Sequence, residues 1–283
     1  MPVSGADCSF SPSTAYVLMA TKPAAVVAVD LTSGDSRTLA TLSGVDTLDG
    51  IAFDRWGRFG HRLLVTGRRA GATSVMALDC SGKTTLVTDS APLMEGGMEV
   101  APPAFGAFGG ELVGPDEGSG AVIAVAPDGV AQLVARTGLA GGKDIGAESL
   151  GFVPAGFGGG GAAYLAAGGP LFRLPSSDLL AAGVREGDLL VANAAGATTV
   201  AVRCAADGSC SRVATIIQAT AGARVEGHLL LAADHPGPQA RPLPPGHLGA
   251  ASRGGLSTAL PYAVGIVLLT GLFLLYRRRQ RRR

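Results

Sequence analysis

Three observations predict an all-β chain: a β-propeller of five to six four-stranded blades, followed by one C-terminal transmembrane helix. Strand-like runs open near residues 15, 63, 111 and 163, and units repeating at about 40–50 residues with four strands each mark propeller blades. Turn residues punctuate these runs about every 8–12 residues. Last, residues 254–276 carry no charge and run into Arg277-Arg278-Arg279-Gln280-Arg281-Arg282-Arg283.

The repeat is built the same way each time. Ala15–Ala20, Ala24–Asp30 and Ser36–Leu42 read as strands, with Leu31–Asp35 as a turn. Asp49-Gly-Ile-Ala-Phe-Asp54 and Arg62–Gly67 follow, then Ser74–Asp79 and Thr84–Thr88. A second unit uses Glu111–Gly120, Ala121–Gly129 and Ala131–Ala135. Another opens at Glu148–Val153 and continues through Ala163–Ala166 to Leu171–Leu174; the next comprises Leu189–Asn193, Thr198–Arg203 and Ser211–Ile217. Ser176–Gly183 breaks the pattern and predicts a short helix capped by serine. Glu226–Asp234 is a last strand, placed to close the ring against residues 14–42.

The C-terminal run has no polar stripe, so it is not an amphipathic surface helix. At about 1.5 Å per residue it exceeds the ~30 Å of a hydrocarbon core. The arginines orient it with the tail in the cytoplasm and the N-terminal domain outside. The expected order is a segment 1–13, a propeller 14–234, a Pro/Gly-rich stalk 235–255, a span 256–276 and a cytoplasmic tail 277–283, in a single-pass protein of the cell membrane. Pro236, Pro238, Pro242, Pro244 and Pro245 make the stalk extended and semi-rigid. Met1–Cys8 lacks the three regions of a signal peptide. An outside domain therefore implies an upstream start or a mature chain; a tail-anchored cytoplasmic domain ranks last, because it would send six arginines across the bilayer.

Composition narrows the partners. Without the tail arginines, 17 basic residues face 22 acidic ones, and a mildly acidic domain argues against nucleic acid. The expected ligand is a protein, a glycan or a small molecule. Arginine outnumbers lysine 20 to 3, the bias of a high-GC bacterial genome. Four cysteines allow two disulfides outside the cell: Cys204 with Cys210 across a hairpin, and Cys8 with Cys80. Neither pair has the spacing of a zinc site, and buried thiols are the plainer alternative.

Asp49-Gly-Ile-Ala-Phe-Asp54, Trp56-Gly57 and the Leu63-Leu-Val strand resemble the NHL and senescence-marker/gluconolactonase type of propeller repeat. The resemblance implies a six-bladed ring with ligands at its central channel. In the lactonases of this type the aspartate of the D-G motif is a metal ligand and acid–base residue, which implies that role for Asp49. The chain departs from them in having no E-G-P-x-W opening and only one asparagine, Asn193, after a different strand.

Candidate chemistry sits where the units open. Asp49 and Glu148 occupy one register and Glu99 lies one place off, so the three could ring one end of the channel. Oxygen ligands from several blades suit Ca²⁺, which takes six to eight. The plainer reading is that these acids accept backbone N–H bonds in turns. His228 could join the rim, though a lone strand histidine is more often packed. No G-x-S-x-G elbow, P-loop or H-E-x-x-H motif is present. The expected function is a membrane-anchored binding or scaffold module, with a tethered metal-dependent lactonase-like hydrolase as the alternative.

Overall fold

The computed structural model describes residues 9–142, 145–167, 171–194, 198–217 and 227–232. They are nearly all β. β1 (Thr14–Met19), β2 (Ala24–Asp30) and β3 (Ser36–Leu42) form a three-stranded antiparallel sheet. The next sheet is β4 (Thr47–Phe53), β5 (Leu63–Arg69), β6 (Ala72–Leu78) and β7 (Thr84–Ala91), paired in chain order. The third repeats that order with β8 (Glu99–Val100), β9 (Leu112–Asp116), β10 (Ala121–Val125) and β11 (Ala131–Arg136).

The next stretch corrects the sequence reading. β12 (Ala147–Phe152) does not pair with β13 (Ala162–Ala167), its neighbour in the chain. It pairs with β15 (Leu189–Asn193), which leads to β16 (Thr198–Cys204) and β17 (Cys210–Ile217). β13, β14 (Leu171–Pro175) and the helix α1 (Ser176–Ala181) are thus an excursion between the first two strands of one blade. Its neck is closed by the Val153 N–H to Asp188 O (2.9 Å) and the Gly187 N–H to Val153 O (2.8 Å). β12 is buried at every position and β15 at all but its last, so neither shows the alternation that would identify a partner. β18 (Gly227–Ala232) pairs with β13 and not with residues 14–42, giving a sheet of order β14-β13-β18. Pro175, not a serine, stands at the helix N-cap, with no side-chain cap bond.

Successive sheets stack face to face, as blades do. Val26 and Leu39 of the first pack on Leu63, Val65 and Met76 of the second. Leu64, Val75 and Ala77 pack on Val100, Leu112 and Ile123 of the third. Val113, Val122 and Val134 meet Leu150, Val191 and Val200 of the fourth. The inner strands β5, β6, β10 and β15 are thus buried on both faces along most of their length, which is why their sequences read as largely apolar runs.

A shared irregularity fixes which strand is which. Each outer hairpin carries a β-bulge, between Val26 and Val27, Val75 and Met76, Val122 and Ile123, and Ala201 and Val202. Each lies the same distance from its hairpin's last pair, at Val29, Leu78, Val125 and Cys204. β2, β6, β10 and β16 are therefore equivalent third strands. Cys204 and Cys210 face each other across one of these hairpins and form a disulfide, with Cα atoms 4.0 Å apart. Cys80 is also disulfide-bonded; Cys8, its expected partner, lies outside the described residues. So do the stalk, the span and the arginine tail. Among the described residues no helix is long and apolar enough to cross a membrane.

Candidate site at the innermost strands

β4, β8 and β12 are the first strands of their blades, and their leading ends are drawn together by glycines. A Cβ on Gly50 would stand 2.1 Å from Met98 Cε and 2.9 Å from Gly96 O. On Gly96 it would stand 1.8 Å from Glu148 O. The Gly97 N–H donates to that same oxygen at 3.0 Å. Backbone therefore touches backbone where a side chain would hold the blades apart.

Each of the predicted acids can now be placed. Asp49 falls in a β-bulge between Leu48 and Gly50, and Glu148 in one between Ala147 and Ser149. Phe53 and Phe152 end the two strands in matching pairs, with Leu63 and Leu189, so Asp49 and Glu148 are true equivalents. Bulges re-aim single side chains and are common beside functional sites. Glu99 is different. It immediately precedes Val100, which pairs with Leu112 and is the counterpart of Phe53. The register therefore puts Glu99 level with Ala52, toward the far end of the strand. Gly96, not Glu99, is level with Asp49, and Glu95 adjoins it.

The leading-end cluster contains two residues that the sequence reading missed. Arg68, near the end of β5, places Nε 3.4 Å from Asp49 Oδ2 and hydrogen-bonds Glu95 through Nη2. Thr47 Oγ1 donates to Asp49 Oδ1 at 3.3 Å. The Asp49 side chain is 7% exposed and that of Arg68 36%. Glu148 is buried, and the position of a Cβ on Gly96 lies 3.4 Å from its carboxyl carbon. Glu95-Gly96 repeats the acid–glycine step of Asp49-Gly50, and that was the available signal. Arg68 had none, because its role depends on pairing across β4 and β5 (Thr47 with Arg68).

Glu99 instead ties two blades together. Its Oε2 accepts the Phe152 N–H at 3.1 Å, and Oε1 lies 3.2 Å from Arg55 Nη2. Burial pushes this carboxyl above the usual carboxylate range, against the pull of the Phe152 N–H and of Arg55. The folded chain then holds the proton more tightly than the unfolded chain. The resulting stability is complete below the ordinary value of 4.5 and is lost as pH rises through the raised value. Glu99→Gln keeps an acceptor for Phe152 and cannot ionise. Its urea midpoint relative to wild type should be higher at pH 7.5 than at pH 4; an unchanged difference would mean that burial does not perturb Glu99.

Asp54, the second acid of the Asp49-Gly-Ile-Ala-Phe-Asp54 motif, is a structural residue. It is fully buried, and its Oδ2 accepts the N–H groups of Phe59 (2.6 Å) and His61 (3.0 Å), shaping the loop to β5. His228 lies in β18, paired with Ala166.

The fit to a metal follows from these contacts. Among the described residues no three His, Cys, Asp or Glu side chains gather so as to hold a metal ion. At the leading ends the Arg68 guanidinium is ion-paired with both Asp49 and Glu95. Glu99 is committed to Phe152 and Arg55. A calcium there would have to compete with Arg68 for Asp49 and with Phe152 and Arg55 for Glu99.

No family model matches the chain, and neither does any curated protein. Among solved structures, it is similar to a provisionally assigned 6-phosphogluconolactonase of Bacteroides uniformis, at 17% identity and a TM-score of 0.40, over 75% of this chain and 56% of that one. TolB of Acinetobacter baumannii aligns at 13% identity and a TM-score of 0.37, over 77% and 54%. The periplasmic gluconolactonase of Pseudomonas aeruginosa aligns at 17% identity and a TM-score of 0.34, over 69% and 64%. The chain thus spans little more than half the length of the first two.

Proposed function

We propose that the chain is a single-pass membrane protein displaying a propeller-type binding module, residues 14–234, outside the cell. A stalk over 235–255 and a span over 256–276 hold it, with the arginine tail in the cytoplasm. Its ligand is a protein, glycan or small molecule. The observation that carries the binding reading is the engagement of Asp49 and Glu95 by Arg68, which commits the leading-end acids to an ion cluster. The uncharged run before six arginines supports the anchor. The test of topology uses the full chain in its membrane: external protease should digest the N-terminal domain and spare an epitope at the tail. Digestion of the tail, or release by alkaline carbonate, would refute the arrangement.

A metal-dependent, lactonase-like hydrolase is the second reading, favoured by the matched bulges at Asp49 and Glu148. It requires Arg68 to give way to an ion. Calcium titration with thermal unfolding separates the two. The binding reading predicts no shift for wild type, whereas a specific site would add about 2.7 kcal/mol at a hundredfold excess over Kd. Such a shift, abolished in Glu148→Gln and joined by lactone opening, would replace the first reading with the second. Arg68→Ala provides a further check. Removing the guanidinium should lower stability by about 1–3 kcal/mol, since Arg68 is partly exposed. Added calcium should restore part of that loss in the variant and none in wild type.

A further inference from the structure

The loop between β4 and β5, Asp54-Arg-Trp-Gly-Arg-Phe-Gly-His-Arg62, concentrates charge of one sign. It holds three arginines and a histidine against one acid, although residues 1–276 carry 17 Lys and Arg against 22 Asp and Glu. That acid is already engaged: Asp54 is buried and its Oδ2 accepts the Phe59 and His61 N–H groups. The Asp54 N–H to Arg62 O bond (2.9 Å) closes the neck, and the Gly60 N–H to Gly57 O bond (3.0 Å) folds the tip. His61 is held at φ +56°, which a residue other than glycine keeps only where its surroundings impose it. The loop is therefore fixed in shape. Its side chains lie over the seam with the third sheet. Arg55 pairs with Glu99, the Trp56 Nε1–H donates to Val100 O at 3.2 Å, and the stem of Arg58 lies against Gly110. Two groups remain for solvent. Trp56 is 43% exposed, and because its one polar atom is taken by the backbone, it presents a fixed aromatic surface. Arg58 is exposed and, among the described residues, makes no ion pair. The neighbouring charges are committed elsewhere: Arg62 bonds Thr85 and faces Asp79, and Glu111, next to Gly110, accepts from Gln132.

We propose that Trp56 and Arg58 form a binding site for an acidic saccharide. The loop follows Phe53, so the site lies at the opposite end of β4 from Asp49. A pyranose ring offers a face of polarised C–H groups, which the negative face of an aromatic ring attracts. The carboxylate of a uronic acid matches the planar fork of a guanidinium. Charge complementarity selects the anion, because this basic loop belongs to a chain that is otherwise mildly acidic. A neutral sugar would leave Arg58 unused, and an anion without a flat apolar face would leave Trp56 unused. The site does not depend on how the Asp49 cluster is used, so either can fail without the other.

Trp56 is the only tryptophan in the chain, so its emission reports on this site alone. The experiment titrates the full chain in detergent with an oligogalacturonate. Binding should give a saturable change in emission and protect Trp56 from quenching by acrylamide. The methyl-esterified oligomer has the same rings without the charge and should bind at least about tenfold more weakly. Arg58→Gln should weaken binding of the acid form by a similar factor, while its emission without ligand matches wild type. No saturable change, equal affinity for the ester, or undiminished affinity in Arg58→Gln would overturn the proposal. So would the same emission change on adding phosphatidylglycerol vesicles alone, which would make a membrane surface the occupant. Trp56 already shielded from acrylamide before any ligand is added would also overturn it, because the chain's own residues would then cover the site.

Discussion

Gly96→Ala is expected to destabilise the fold by about 3–5 kcal/mol, more than an ordinary loop substitution. Two effects add. Gly96 has φ +81°, a conformation that disfavours any Cβ, and that Cβ would stand 1.8 Å from the backbone oxygen of Glu148. The obstacle is backbone, so no rotamer change relieves it; β8 and β12 would have to separate. Gly156→Ala is the control. Its φ of +78° imposes a similar conformational strain with nothing within 4 Å, so its loss should be about 1 kcal/mol. Urea unfolding of the two variants would compare them directly. Equal losses would mean that the innermost strands do not depend on this contact, and the leading-end cluster would lose its structural basis.

Arg203→Leu should cost about 3 kcal/mol. Asp188 is 2% exposed and closes the excursion between β12 and β15. The Arg203 Nε and Nη2 donate to its two oxygens at 2.7 Å each, and Nη2 also donates to Gly183 O at 2.9 Å. The carboxylate in turn raises the Arg203 guanidinium above its usual range, chiefly through these bonds. The Arg185 N–H adds a bond of 2.7 Å to Oδ2. Removing the arginine leaves a buried carboxylate with that one backbone donor, the situation in which a broken pair is most damaging. The lower end of the usual range applies because Arg203 is 35% exposed. The double variant Asp188→Leu/Arg203→Leu should recover part of the loss. A double-mutant cycle measured by urea unfolding tests this, and additive losses would refute the coupling.

The strands and turns were legible in the sequence because their causes are local. Apolar runs bounded by Asp, Ser and Gly specify a hairpin whatever surrounds it, and the Cys204–Cys210 hairpin is one such case. The likeness of Asp49 and Glu148 was legible too, because each starts a run of the same pattern. Three things were decided only in the tertiary structure. β12 pairs with β15 across an excursion of β13, β14 and α1, and uniformly buried strands do not reveal which face or edge meets a distant partner. Glu99 lies at the far end of its strand because register depends on the pairing of Val100 with Leu112, which a short β8 does not disclose. Arg68 joins Asp49 and Glu95 only when β4 and β5 align, so the charge balance of the cluster belongs to the fold and not to any segment. The apolar run before the arginines is the opposite case: it lies outside the described residues, and the expectation of a span there rests on composition alone.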